Sequence, residues 1–162
     1  MAESLHSTLR IAGRVRIVTR SLDGRVLRDS GFIPNQITNA GAAAIASWLT
    51  GVPNRGASGQ AIPYPASMEL GDGTGTPSAT DTDLFSPNVA TNIHVTQSGP
   101  VAGSPLVAQW VGVWGPQYGP YNGSEIGLLN SQGVLYAHLL ATIDLTTTAS
   151  TAVTWQWVLS PE

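Results

Sequence analysis

The side chains able to do chemistry in this sequence are few: three histidines, seven arginines and ten carboxylates, with no cysteine. The lack of cysteine excludes thiolate nucleophiles, zinc–thiolate sites and disulfides. A serine–histidine–carboxylate arrangement needs a nucleophile whose base is itself held by a third group. His6, His94 and His138 have serines and aspartates for company, yet there is no Gly-x-Ser-x-Gly elbow. His94 and His138 fall inside strand candidates, where a packed or an exposed histidine is the expectation. The run Gly71-Asp72-Gly73-Thr74-Gly75 invites a phosphate-loop reading, but that loop ends in Gly-Lys-Ser/Thr before a helix, and the sequence has no lysine. The glycine spacing and flanking elements of a dinucleotide site are missing as well, so a tight surface turn is expected. Asp72, Asp81 and Asp83 offer hard oxygen ligands for calcium, but their spacing matches no defined loop, and turn or capping roles are expected. The chain reads as non-enzymatic, with no catalytic residue, metal or cofactor.

Two sets of residues suit binding instead. Arg10, Arg14, Arg16 and Arg20 recur along one stretch and Arg25 and Arg28 along the next; together they form a candidate interface, because a guanidinium suits bidentate contact with carboxylate or phosphate. The formal net charge of −3 weighs against a nucleic-acid role, which leaves a stripe facing protein or solvent. Trp110, Trp114, Tyr118, Tyr121, Trp155 and Trp157, with Tyr136, are the second set. Trp and Tyr dominate interface hot spots and sugar-stacking platforms, and a sandwich core uses them equally. Alternation puts Trp110 with Trp114 and Trp155 with Trp157 on single faces, so each pair shares one core or one contact patch.

The elements that must position these residues are mostly strands. Leu9 to Arg20 alternates, with Ile11, Val15 and Ile17 on one face and Arg10, Arg14, Arg16 and Arg20 on the other. Asp23-Gly24 supplies hairpin turn chemistry, and Arg25 to Ile33 returns as a second strand until Pro34 removes a ladder donor. A helix follows over about residues 39–50, capped by Thr38 or Asn39, ended by Gly51, with Ile45, Trp48 and Leu49 as its buried stripe. Val52 to Ala66 is rich in Pro and Gly and reads as a long loop. Ser67 to Leu70 is a short strand, and Thr80 or Asp81 caps one helical turn. Further strands are expected over Ala90–Gln97, Leu106–Trp114, Ser124–Leu129, Val134–Asp144 and Ala152–Leu159, with Asn130-Ser131-Gln132-Gly133 linking a hairpin. The class is mainly β: an antiparallel β-sandwich or barrel-like fold with one short α-helix, since no helices are available for parallel crossovers.

At 162 residues the chain suits one domain, with residues 1–34 as an Arg-rich N-terminal hairpin that serves as a docking element. No stretch approaches the roughly 18 apolar residues of a spanning helix, and Met1-Ala2-Glu3-Ser4 lacks a signal-peptide layout; no membrane contact is expected. Only 10% of residues are charged, against about 25% in an ordinary globular protein. That composition suits a surface largely covered by neighbouring subunits, because charges are depleted at the cores of interfaces. Placement is uneven too. Residues 1–55 hold all seven arginines against Glu3, Asp23 and Asp29, for +4, and residues 56–162 hold seven carboxylates, for −7.

The series Asn35-Gln36-Ile37-Thr38-Asn39-Ala40-Gly41, an Ala-rich helix and Met68-Glu69-Leu70-Gly71-Asp72-Gly73-Thr74-Gly75-Thr76-Pro77 running on to Asp81-Thr82-Asp83-Leu84 resembles a layout of small structural proteins of tailed bacteriophages. Ser124-Glu125-Ile126-Gly127-Leu128-Leu129, Val134-Leu135-Tyr136-Ala137-His138 and Val153-Thr154-Trp155 resemble the end of the same layout. The resemblance spans roughly residues 31–159, names no catalytic residue, and implies a virion structural protein of the tail fibre, tail tip or head decoration. Its partners would be itself, as a homo-oligomer such as a trimer, and other virion proteins, after synthesis in the host cytoplasm. The alternative from a different class is a carbohydrate- or receptor-binding β-module whose exposed Trp and Tyr stack on a host-surface glycan.

Overall fold

Alternation decides the first strand, β1 (Leu9–Ser21): Val15 and Ile17 are buried while Arg14 and Arg16 between and beside them are exposed. At Gly24 the chain takes φ 87°, a conformation that favours glycine, and the Gly24 amide donates to the Ser21 carbonyl. The chain then returns as β2 (Val26–Ile37). The computed structural model describes residues 9–50, 63–98 and 106–161. The remaining strands are β3 (Pro65–Gly71), β4 (Pro87–His94), β5 (Thr96–Ser98), β6 (Val107–Trp114), β7 (Tyr121–Asn130), β8 (Leu135–Leu145) and β9 (Ala149–Pro161), with one helix, α1 (Asn39–Thr50).

All pairings are antiparallel, in the order β4-β3-β7-β8-β2-β1-β9-β6-β5. Only Val95 separates β4 from β5, and its amide donates to the Ala66 carbonyl. One nearly continuous strand therefore pairs with β3 at its start and with β6 at its end, which brings the two edges together. The result is a nearly closed, barrel-like sheet. Its loosest seam is between β2 and β8, which pair only through Gln36 with His138 and Ile37 with Ala137. Two layers face each other across one core. Val15, Ile17, Val153, Trp155 and Trp157 come from one side, and Met68, Leu70, Ile126, Leu128 and Leu139 from the other.

Thr38 caps α1, its hydroxyl accepting from the Gly41 amide at 3.1 Å and donating to the Leu135 carbonyl at 2.7 Å. A Cβ at Gly41 would lie 2.1 Å from the Tyr136 carbonyl oxygen, so glycine is what lets the helix backbone lie against β8. Ala44 and Ile45 are buried and Trp48 half-buried, but Leu49 is 57% exposed and drops out of the expected stripe.

Other boundaries also move. β2 continues through Pro34 because that stretch has a ladder on one side only, where a missing donor is tolerated. Pro65 and Ala66 belong to β3 rather than to a loop, the strand expected over Ala90–Gln97 is broken at Val95, and Thr80 and Asp81 lie in a turn, not a helical turn. Gly51 and most of the Val52–Ala66 loop lie outside the described residues.

Candidate functional site

The β7–β8 hairpin brings the ionisable groups together. Its turn is set by Asn130, whose side-chain oxygen accepts from the amides of Gln132 and Val134, and by Gly133 at φ 77°. The register places Gly127 opposite His138 and Glu125 opposite Leu140. Ile126, Leu128, Ala137 and Leu139 enter the core, so Glu125 and His138 point to the other side of the sheet. There residues 72–86, the connection from β3 to β4, fold back over them. Both side chains are fully buried.

Glu125 uses every direction its carboxylate offers. Oε1 accepts from the amides of Gly73 (3.1 Å) and Ser86 (2.7 Å), and Oε2 from Phe85 (3.0 Å). Oε2 also lies 2.9 Å from Nε2 of His138, whose Nδ1 is 2.8 Å from Oδ2 of Asp81. Asp81 in turn accepts from the Ser78 amide at 2.8 Å. Ionised carboxylates only accept, so the ring bonds to both when both of its nitrogens carry hydrogen. The Phe85 ring covers the imidazole at 4.8 Å between centroids. Leu84 packs beside them with Leu129 and Leu135.

This arrangement explains the glycine run. A Cβ at Gly71 would lie 2.3 Å from Glu125 Oε1, at Gly73 2.4 Å from Phe85 Cβ, and at Gly75 2.7 Å from the Phe85 ring. None of the three has positive φ. They are glycines because the chain passes too close to Glu125 and Phe85 for a side chain, and the expected tight surface turn is instead a close-packed segment whose Gly73 is buried. Both ring nitrogens are committed to carboxylates, and no hydroxyl among the described residues bonds to the imidazole. The cluster holds the covering loop. Of the aspartates weighed for calcium, Asp81 is tied to His138, Asp83 accepts from the following amide, and Asp72 is exposed. Among the described residues no group of three or more His, Asp or Glu side chains is arranged to hold a metal.

The arginines occupy the opposite side. Arg10, Arg14, Arg16 and Arg20 are exposed on the outer face of β1, and Arg25 and Arg28 are exposed at the hairpin end. Arg16 grips Asp29, with Nε 2.9 Å from Oδ1 and Nη2 against Oδ2. That guanidinium, aided by the Gly31 amide, holds the Asp29 carboxyl well below the usual range. Arg14 Nε donates to Gln156 (2.8 Å), Gln156 donates to Gln109 (2.7 Å), and the Arg14 guanidinium lies 4.4 Å from the Phe32 ring centroid. The outer face of β1, β9 and β6 is thus a polar sheet carrying positive charge, with the Asp29 carboxylate at its border.

The aromatic set divides. Trp110, Trp114, Trp155 and Trp157 are at most 2% exposed and belong to the core, with Tyr136 fully buried among them. Trp114 donates its indole N–H to the Thr91 carbonyl at 2.7 Å. Tyr118 and Tyr121 pack partly buried against the same cluster. Those four tryptophans are therefore unavailable as a sugar platform. Aromatic surface remains near α1, where Trp48 lies between Tyr64 (4.8 Å) and Trp157 (6.0 Å) beside a pocket of about 150 Å³.

No family model, curated protein or solved structure matches this chain. The grouping of Glu125, His138 and Asp81 was not foreseen from sequence. A signal existed, since a lone Glu and a lone His stand in the apolar runs Ser124–Leu129 and Val134–His138 of one predicted hairpin. Counting back from its turn places them near each other on one side. Asp81 had no such signal, because a loop has no register.

Proposed function

We propose that this chain is a non-enzymatic structural subunit of an assembled particle, and that the particle is the virion of a tailed phage. The observation that carries the first part is the outer face of β1, β9 and β6. It presents a row of arginines and hydrogen-bonded glutamines on a sheet, a composition suited to contact with another protein surface. The sparse charge of the whole chain supports it, as does the commitment of Glu125, His138 and Asp81 to holding a loop. The phage assignment is supported by the resemblance in sequence layout. The segments that carry the resemblance, Gly71–Gly75, Asp81–Leu84, Ser124–Leu129 and Val134–His138, meet around Glu125 and His138.

The test is to purify phage particles released by a strain that carries the gene and identify their proteins by mass spectrometry. Presence at a fixed ratio to the major particle proteins is expected; absence from particles that are otherwise complete would overturn the reading. Replacing Arg14 and Arg16 together with Glu is expected to reduce incorporation while leaving the fold intact.

A further inference from the structure

Building on the proposed structural role, we infer that copies of this chain associate head to tail, the arginine face of one copy docking on the covering loop of the next. The two surfaces lie on opposite sides of one core. Arg14 and Arg16 alternate outward from a strand whose Val15 and Ile17 enter that core, and Glu125 and His138 alternate outward from strands whose Ile126 and Ala137 enter it from the other side. The covering loop over Glu125 and His138 exposes Asp72 and Asp83. Neither forms an ion pair with a described residue, and the loop itself contains no lysine or arginine. On the other face Arg10, Arg14 and Arg20 likewise form no close ion pair with a described residue; Asp29 is held by Arg16, with Arg20 attracting it only from further away. Opposite charge therefore sits on opposite faces, and the strongest complement available to each face is a second copy of the same molecule.

Apolar surface accompanies the charge on both sides. Phe32 (42% exposed) and Val113 (54%) border the arginines, and Phe85 (43%) and Val89 (77%) border the loop aspartates. Burying these against each other supplies the non-directional part of association, and the charges set orientation. A contact between two different faces is heterologous, so it closes into a ring when the rotation allows and otherwise continues as an open stack.

The experiment is sedimentation velocity of the full chain at low and high salt, with two charge-reversed variants: Arg10→Glu with Arg14→Glu and Arg20→Glu, and Asp72→Arg with Asp83→Arg. Wild type is expected to associate at low salt and to dissociate at about 1 M salt, where the screening length falls to roughly 3 Å. Each variant alone carries like charge on both faces and is expected to be monomeric, with an unchanged circular dichroism spectrum. An equimolar mixture of the two restores complementary faces and is expected to associate again. A wild type that is monomeric at low salt, variants that still self-associate, or a mixture that stays monomeric would each overturn the inference. These outcomes are independent of whether the chain is found in phage particles, so the docking mode and the virion assignment stand or fall separately.

Discussion

The two outer faces of this barrel pair carboxylates with nitrogen-bearing side chains in opposite surroundings. Beneath the covering loop, Glu125 and His138 are shut away from water and bond to the loop's amides and to its half-buried Asp81. On the arginine face, Arg16 and Asp29 pair through two contacts in the open. A buried charge is costly to strand, because removing its partner leaves it unsolvated and unpaired. An exposed pair trades its contact for water at little cost. The first arrangement fixes a loop; the second ties together only two exposed side chains.

That contrast is tested most strongly by Glu125→Ala, which strips the carboxylate partner from His138 Nε2 and from the amides of Gly73, Phe85 and Ser86. A loss of about 3–5 kcal/mol is expected in urea unfolding of the full chain. Gly73→Ala puts a methyl group into the space of Phe85 and Glu125, with an expected loss of about 1–3 kcal/mol. Thr38→Ala removes the cap of α1 without touching either face and should cost about 1 kcal/mol. Arg16→Gln, on the exposed side, should leave the melting midpoint within replicate scatter; a drop as large as that of Glu125→Ala would erase the distinction between the faces.

Acid titration sharpens the same point. The Asp29 carboxyl is held below its ordinary value chiefly by its hydrogen bond from Arg16. Its contribution is therefore complete above the ordinary aspartate range near pH 4 and is lost only as pH falls through the lower folded value. Carbon-detected NMR of the Asp29 carboxyl should show ionisation persisting below that range, and Arg16→Gln should return it towards normal.

Strand existence was legible because period-two alternation reports which face is wet, and it marked β1, β6 and β9 with boundaries close to those observed. The Asp23-Gly24 and Asn130–Gly133 turns were legible from local chemistry as well. The break at Val95 was not, since nothing local tells a strand that it will change neighbours halfway. Nor was Leu49's exposure, because the stripe on a short apolar helix depends on which side meets β8.

By itself the sequence determined the mainly β class, the hairpins, the capped helix and the outward row of arginines, all of which follow from spacing within a few residues. Only the tertiary structure decided that four tryptophans are core, that the glycine run lies against a buried glutamate, and that Glu125, His138 and Asp81 meet. The last two depend on a loop folding back across a sheet. Its hydrogen bonds to Glu125 and His138 span 39 to 57 residues of sequence, a distance over which neither alternation nor turn chemistry carries information.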